Sequence, residues 1–141
     1  ELEHSIEVQL PFIQAVFEDI EIVPVVVGDC SSDKVRLLLQ FLLEQIAHEN
    51  DAVPLLVVSS DLSHYHSYEE ASHKDKGTIQ KILAYKQNIQ PDEACGCRAL
   101  NGLLSLAEEK HWQTNLISYK NSGDVFGDKS RVVGYASFTL C

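Results

Sequence analysis

Apolar residues recur along this chain with two different periods. Leu2, Ile6, Leu10 and Ile13 fall at helical spacing and predict a helix from Glu1 to about Ala15, with Pro11 ending or kinking it near Leu10. Val35, Leu38, Leu39, Leu42 and Ile46 form a second helical stripe behind a cap at Ser31 or Ser32. A third helix is expected in "SYEEASHKDKGTIQKILAYK", with a break near Gly77, and a fourth in "CRALNGLLSLAEEKHW", where Leu100, Leu103, Leu104 and Ala107 share one side. Between these stripes lie short runs rich in β-branched residues. "IEIVPVVVG" (Ile20–Gly28) and "PLLVVSS" (Pro54–Ser60) read as buried strands, with Pro24 placing the first at an edge or a bulge. "NLISYKNSG" and "SRVVGYASFTL" read as two more, joined by the loop "SGDVFGDKS". Helices alternating with strands predict an α/β fold, a layered sheet with flanking helices and covered faces. No repeat or linker divides the chain.

Composition narrows the function classes. The chain has 141 residues, enough for one domain with a sizeable core. Its net charge of −10 argues against a nucleic-acid surface and against a polybasic membrane contact, both of which need clustered Lys and Arg. Apolar runs stop well short of the roughly 20 residues that cross a bilayer. Four cysteines, Cys30, Cys95, Cys97 and Cys141, show no CxxC spacing. With no signal-peptide pattern in view, they are expected to be reduced thiols in a cytoplasmic protein, with Cys30 and Cys141 acting as small buried hydrophobes. The chain opens on Glu1 and contains no Met, which suggests a piece of a longer protein.

Three places could carry chemistry. Asp61 and His64 follow an apolar strand three residues apart, so their side chains can converge at the carboxyl end of a sheet, where α/β folds bind ligands. That pairing suits a carboxylate orienting an imidazole, or two metal ligands. The plainer alternative is that Asp61 or Ser63 caps the next helix. His4 is a lone histidine on a helix, more often a structural residue than a ligand. Cys95 precedes a helix, whose N-terminus favours a thiolate, and Gly96 beside it allows an unusual backbone angle. Cys97 is two residues on and points elsewhere. A thiolate, imidazoles and a carboxylate suit Fe(II), Cu or Zn rather than Mg or Ca. Ser59, Ser60 and Ser63 lie next to Asp61 and His64, but without a GxSxG elbow a serine hydrolase is a weak reading.

The motifs "EHSIEVQLPF", "SSDLSHY", "ACG" and "SGD…VVGYASF" occur in this order across the chain. In these the chain resembles the Memo-like family, whose bacterial and archaeal members are called AmmeMemoRadiSam system protein B. The resemblance implies a fold like that of class III extradiol dioxygenases. It implies that residues 1–141 form the C-terminal portion of a single Memo-like domain. It implies a divalent metal, Fe(II) foremost with Cu or Zn as alternatives. His4, Cys95 and His64 would be ligands, and Asp61 and His64 the catalytic pair. A further ligand His would lie upstream of "EHS". After "ACG" this chain reads "CRAL" where the family usually has a Pro-containing stretch. The implied activity is a non-haem, metal-dependent oxidoreductase of unknown substrate. The alternative is a non-catalytic adaptor binding a peptide or small-molecule ligand in the same cleft. AMMECR1-like or radical-SAM proteins are implied only as functional neighbours.

Overall fold

The computed structural model describes residues 4–50 and 54–141. The elements run α1 (Leu10–Val16), α2 (Ser32–Asn50), β1 (His64–His66), α3 (Tyr68–Leu83), α4 (Cys97–Glu109), β2 (Thr114–Asn121), α5 (Ser122–Phe126) and β3 (Val132–Leu140). The architecture is α/β, with a three-stranded antiparallel sheet in the order β1-β3-β2. The β2–β3 ladder runs from Thr114 opposite Leu140 to Asn121 opposite Gly134, with an irregularity between Leu116 and Ser118.

Helix α4 is the centre of the molecule because it is apolar on two sides. Leu104 joins Leu62, Ile79, Ile82, Ile89 and Ala94 in a cluster between α3, α4 and the sheet, where Tyr119, Ala136 and Phe138 pack. Leu103 and Leu106 meet Val35 and Leu39 of α2, with Val27, Leu56 and Val58 alongside. The expected single stripe on α4 is therefore two, one for each neighbour. On α2 the buried stripe is Val35 and Leu39, while Leu38 is 40% exposed.

Several expectations change on physical grounds. Pro11 opens α1 instead of ending a helix, because a residue without an N–H fits the first turn, where that donor has no partner. Residues 5–9 form turns, and the predicted start at Glu1–Glu3, Leu2 included, lies outside the described residues. Gly77 does not interrupt α3. "SGDVFGDKS" contains the short helix α5, capped by Asn121 and closed by Gly127 in the left-handed region. Residues 20–28 and 54–60 form no ladder among the described residues. A strand needs a hydrogen-bonding neighbour, and composition encodes only the extended tendency. Val23 and Val26 (each 61%) and Leu55 (69%) are accordingly exposed. The sheet is small and antiparallel, and its faces are not fully covered, since Ile117 is 64% exposed. Cys141 is exposed, against expectation, and Cys30 is half-buried beside the α2–α4 cluster.

Two local devices fix α3, one tying it to the sheet and one closing its start. Asp75, fully buried, accepts hydrogen bonds from the Ser63 amide (3.0 Å) and the Tyr119 hydroxyl (2.9 Å). Burial, then the bond to Asp75, holds the Tyr119 phenol above its ordinary pKa. Gly134 lets this carboxylate approach, for a Cβ there would stand 2.0 Å from Asp75 Oδ2. At the start of α3, Ser67 and Glu70 form a reciprocal capping box. The Ser67 hydroxyl (2.7 Å) and then its amide (3.2 Å) donate to Glu70, holding that carboxyl below the usual glutamate range.

Gly134→Ala is expected to lower stability by about 3 kcal/mol in urea denaturation, because Asp75 must move from a packed site. An unchanged midpoint would show that α3 and the sheet separate freely. The Glu70 shift carries a sign: its stabilisation is present above roughly pH 4.3 and is lost as pH falls through the lowered folded value. Glu70→Gln should therefore keep the cap at neutral pH and flatten the acid limb of the stability–pH curve. Coincident acid limbs for the two proteins would show that the charge on Glu70 does not matter.

Candidate functional site

The chain leaves the apolar segment at residue 60, and residues 62–64 run beside β3. The Leu62 amide donates to the Gly134 carbonyl and the Gly134 amide to the Ser63 carbonyl, each at 2.9 Å. His64 then pairs with Val133 and His66 with Val132, so Tyr65 is an extra residue in the ladder. Tyr65 adopts φ 62, an uncommon angle for a bulky residue, and Arg131 covers its ring at 5.0 Å. The bulge turns the chain into Ser67 and α3.

This geometry decides between a cap and a cluster at Asp61. The cap of α3 is Ser67, so neither Asp61 nor Ser63 serves that role. Asp61 Oδ2 instead lies 3.3 Å from His64 Nε2, both side chains remaining partly exposed.

Cys95 arrives from a separate part of the chain. Lys81 on α3 pairs with both Glu93 oxygens (2.7 and 2.8 Å), and Glu93 also accepts the Gln90 amide, which anchors the segment before α4. Ala94 is buried behind it. The Cys95 amide donates to the Asp61 carbonyl (3.3 Å), and the Asp61 amide points at Cys95 Sγ (3.2 Å). Ser60 completes the joint: its hydroxyl accepts the Gly96 amide (2.9 Å), donates to the Asp61 carbonyl (2.8 Å) and lies 3.6 Å from Cys95 Sγ. Gly96 is needed for this closeness, since a Cβ would stand 2.8 Å from the Ser60 Cβ. Its φ is an ordinary −88, so the expected unusual backbone angle is replaced by a close approach.

Asp61, His64 and Cys95 thus present ligand-type atoms all within 4.8 Å of one another. Tetrahedral bonds of roughly 2.0–2.3 Å place N, O and S ligands about 3.3–3.8 Å apart, so the set fits one divalent cation once the side chains close in slightly. A thiolate with an imidazole and a carboxylate is a donor set for Fe(II), Cu or Zn. His4 stands apart: its side chain is 62% exposed and its Nδ1 lies 2.7 Å from Glu7 Oε2. Its segment is tethered to the site wall where Gln9 Nε2 donates to Ser59 Oγ (3.1 Å). Cys97 is buried in the core and away from the cluster.

Three participants escape a reading by motif. Ser60 was visible only as a neighbour of Asp61. Tyr135 stands close enough for the Asp61 charge to act on it; burial, then Asp61 and Tyr65, hold its phenol protonated above the ordinary range. Asp75 did carry a signal: it is an acid on the inner stripe that Ala71, Thr78, Ile79 and Ile82 define on α3. A cavity of about 230 Å³ adjoins Cys95 and is lined also by Val27, Gly28, Asp29 and Arg98.

The chain belongs to the family of Memo-like proteins, whose pattern it matches over residues 1–139. It is 36% identical over 143 residues to a MEMO1 family protein of Desulfurococcus amylolyticus, covering 96% of this chain and 50% of that protein. A MEMO1 family protein of Metallosphaera sedula is 35% identical over 140 residues, covering 94% of this chain and 50% of its own length. One from Methanosarcina mazei is 35% identical over 150 residues, covering 98% and 55%. The chain therefore spans about half the length of the curated relatives it matches. No helix among its described residues is long and apolar enough to cross a membrane.

Gly96→Ala is expected to cost about 1–3 kcal/mol by overpacking against Ser60. It should also lengthen the Asp61 N–H contact with Cys95, seen as a shift of the Asp61 amide resonance. An unmoved resonance would mean that the Cys95 joint does not depend on Gly96.

Proposed function

We propose that this chain carries the ligand-bearing C-terminal portion of a metal-dependent, dioxygenase-like protein, an oxidoreductase whose substrate binds at the open side of the cluster. The observation that supports this most directly is the convergence of Asp61, His64 and Cys95 within 4.8 Å from two distant parts of the chain. In this reading Cys95 and His64 hold a divalent metal, Fe(II) foremost, and His4 joins them by leaving Glu7. Gln9, bonded to Ser59, keeps the His4 segment within reach. A bound metal would supply Lewis acidity and an open coordination position. Asp61 orients the His64 ring, and His64 acts as the acid/base when it is not a ligand. The Asp61 amide, aimed at Cys95 Sγ, and the Ser60 side chain against it hold the sulfur in place. Tyr135, held protonated, offers a hydrogen-bond donor near Asp61. The α/β architecture, with its cluster after an extended apolar segment, is compatible with an extradiol dioxygenase-like fold and is the warrant for that analogy.

The test is metal analysis after reconstitution with Fe(II), Cu(II) and Zn(II) in turn. One ion per chain is expected, with Cys95→Ala or His64→Ala reducing occupancy at least tenfold at matched metal concentration. Full occupancy surviving both substitutions would remove the assignment. Full occupancy without turnover across an aerobic substrate screen would favour a ligand-binding adaptor using the same cleft.

A further inference from the structure

Asp75 is a buried acid with no place in the chemistry described above. Its side chain has no exposed surface, and its two oxygens have different partners, the Ser63 amide and the Tyr119 hydroxyl. Packing of the buried face of α3 does not by itself require a carboxylate. The helix buries Ala71, Thr78, Ile79 and Ile82 on the same face, and an apolar residue among them would avoid the desolvation of a carboxylate.

What the carboxylate does accomplish is to grip one peptide. Ser63 lies between Asp61 and His64. Its amide is held by Asp75, and its carbonyl by the Gly134 amide at 2.9 Å. The preceding amide, of Leu62, is held by the Gly134 carbonyl. Peptide units are planar, so pinning these groups leaves few free torsions between the two cluster residues. Gly134 touches Asp75 from below, so the same strand residue fixes the turn and seats the carboxylate. The Ser63 hydroxyl is buried without a partner among the described residues, as fits a residue held by its backbone at the expense of its side chain.

We propose that Asp75 is the positioning residue of the Asp61–His64–Cys95 cluster. It acts through the Ser63 amide to set the spacing and orientation of Asp61 and His64. The proposal deepens the metal-binding reading and rests on it.

The experiment compares Asp75→Ala, Asp75→Asn and a core control, Leu104→Ala, in this chain. Two quantities are read: Zn(II) affinity, and the ¹⁵N shifts of the His64 ring in metal-free protein. Asp75→Ala is expected to weaken Zn(II) about 10- to 100-fold and to move the His64 resonances. Asp75→Asn, whose amide oxygen still accepts from Ser63, should recover affinity to within about threefold. Leu104→Ala should lower the melting temperature without moving either readout. Equal losses in Asp75→Ala and Leu104→Ala would overturn the proposal and reduce Asp75 to a stability role. If Asp75→Ala does not fold, Tyr119→Phe decides. It removes only the hydroxyl that steadies Asp75, so a displaced Ser63 amide and His64 ring support the proposal and unmoved ones overturn it. If wild type binds no Zn(II) while Asp75→Ala still moves the His64 ring, the positioning role stands and the metal reading falls.

Discussion

A carboxylate sealed from water has to be solvated by the protein, and the fold of this chain is arranged around that requirement at Asp75. The donors it recruits come from the site turn and from β2, and the glycine that admits it belongs to β3. A helix, two strands and a turn are therefore coupled at one buried charge. Breaking such a coupling from one side leaves the charge or its donors unpaired, which is costly in a low-dielectric interior. The arrangement places a rigid floor under a half-exposed cluster: Asp75 and Ser63 have no accessible surface, while the Asp61 side chain is 45% exposed. Rigidity below and openness above are what a site needs if it is to hold one geometry and still admit a ligand.

The second joint, at Cys95, is of a different kind. It uses backbone groups and one hydroxyl beside a part-buried ion pair, and its positioning is shared between the Lys81–Glu93 pair and the Ser60–Gly96 contact. The two joints meet at the Asp61 peptide, whose amide faces Cys95 and whose carbonyl accepts from Ser60 and from the Cys95 amide. The site thus rests on main-chain geometry that many side-chain substitutions nearby would leave intact. Glycines and short polar residues are the sensitive positions, because they set how closely the two chain segments approach.

Exposed apolar side chains along residues 20–26 and at Leu55 and Val57 belong to segments that run extended without a ladder. Their composition is that of strands buried on both faces. The inner half of the 54–60 segment, Leu56 and Val58, does pack against α2 and α4. The outer half has no cover among the described residues. Strand character here is a property of a side-chain run, whereas a strand is a property of two runs together.

Much of this protein was legible in local pattern. Helical stripes located α2, α3 and α4, because burial against a neighbour imposes a 3.6-residue period whatever that neighbour is. β2 and β3 were legible as runs bounded by turn residues, and a three-residue spacing allowed the approach of Asp61 to His64 without deciding it against a helix cap. Tertiary structure decided the rest. It chose Ser67 over Asp61 as the cap, because the bulge at Tyr65 turns the chain only there. It turned Pro11 from a helix end into a helix start and withheld ladder bonds from two β-branched runs. It carried Cys95 to Asp61 across 34 residues and left His4 on the surface beside Glu7. Periodicity reports which face of an element is buried, but which elements meet is set by the packing of all of them at once.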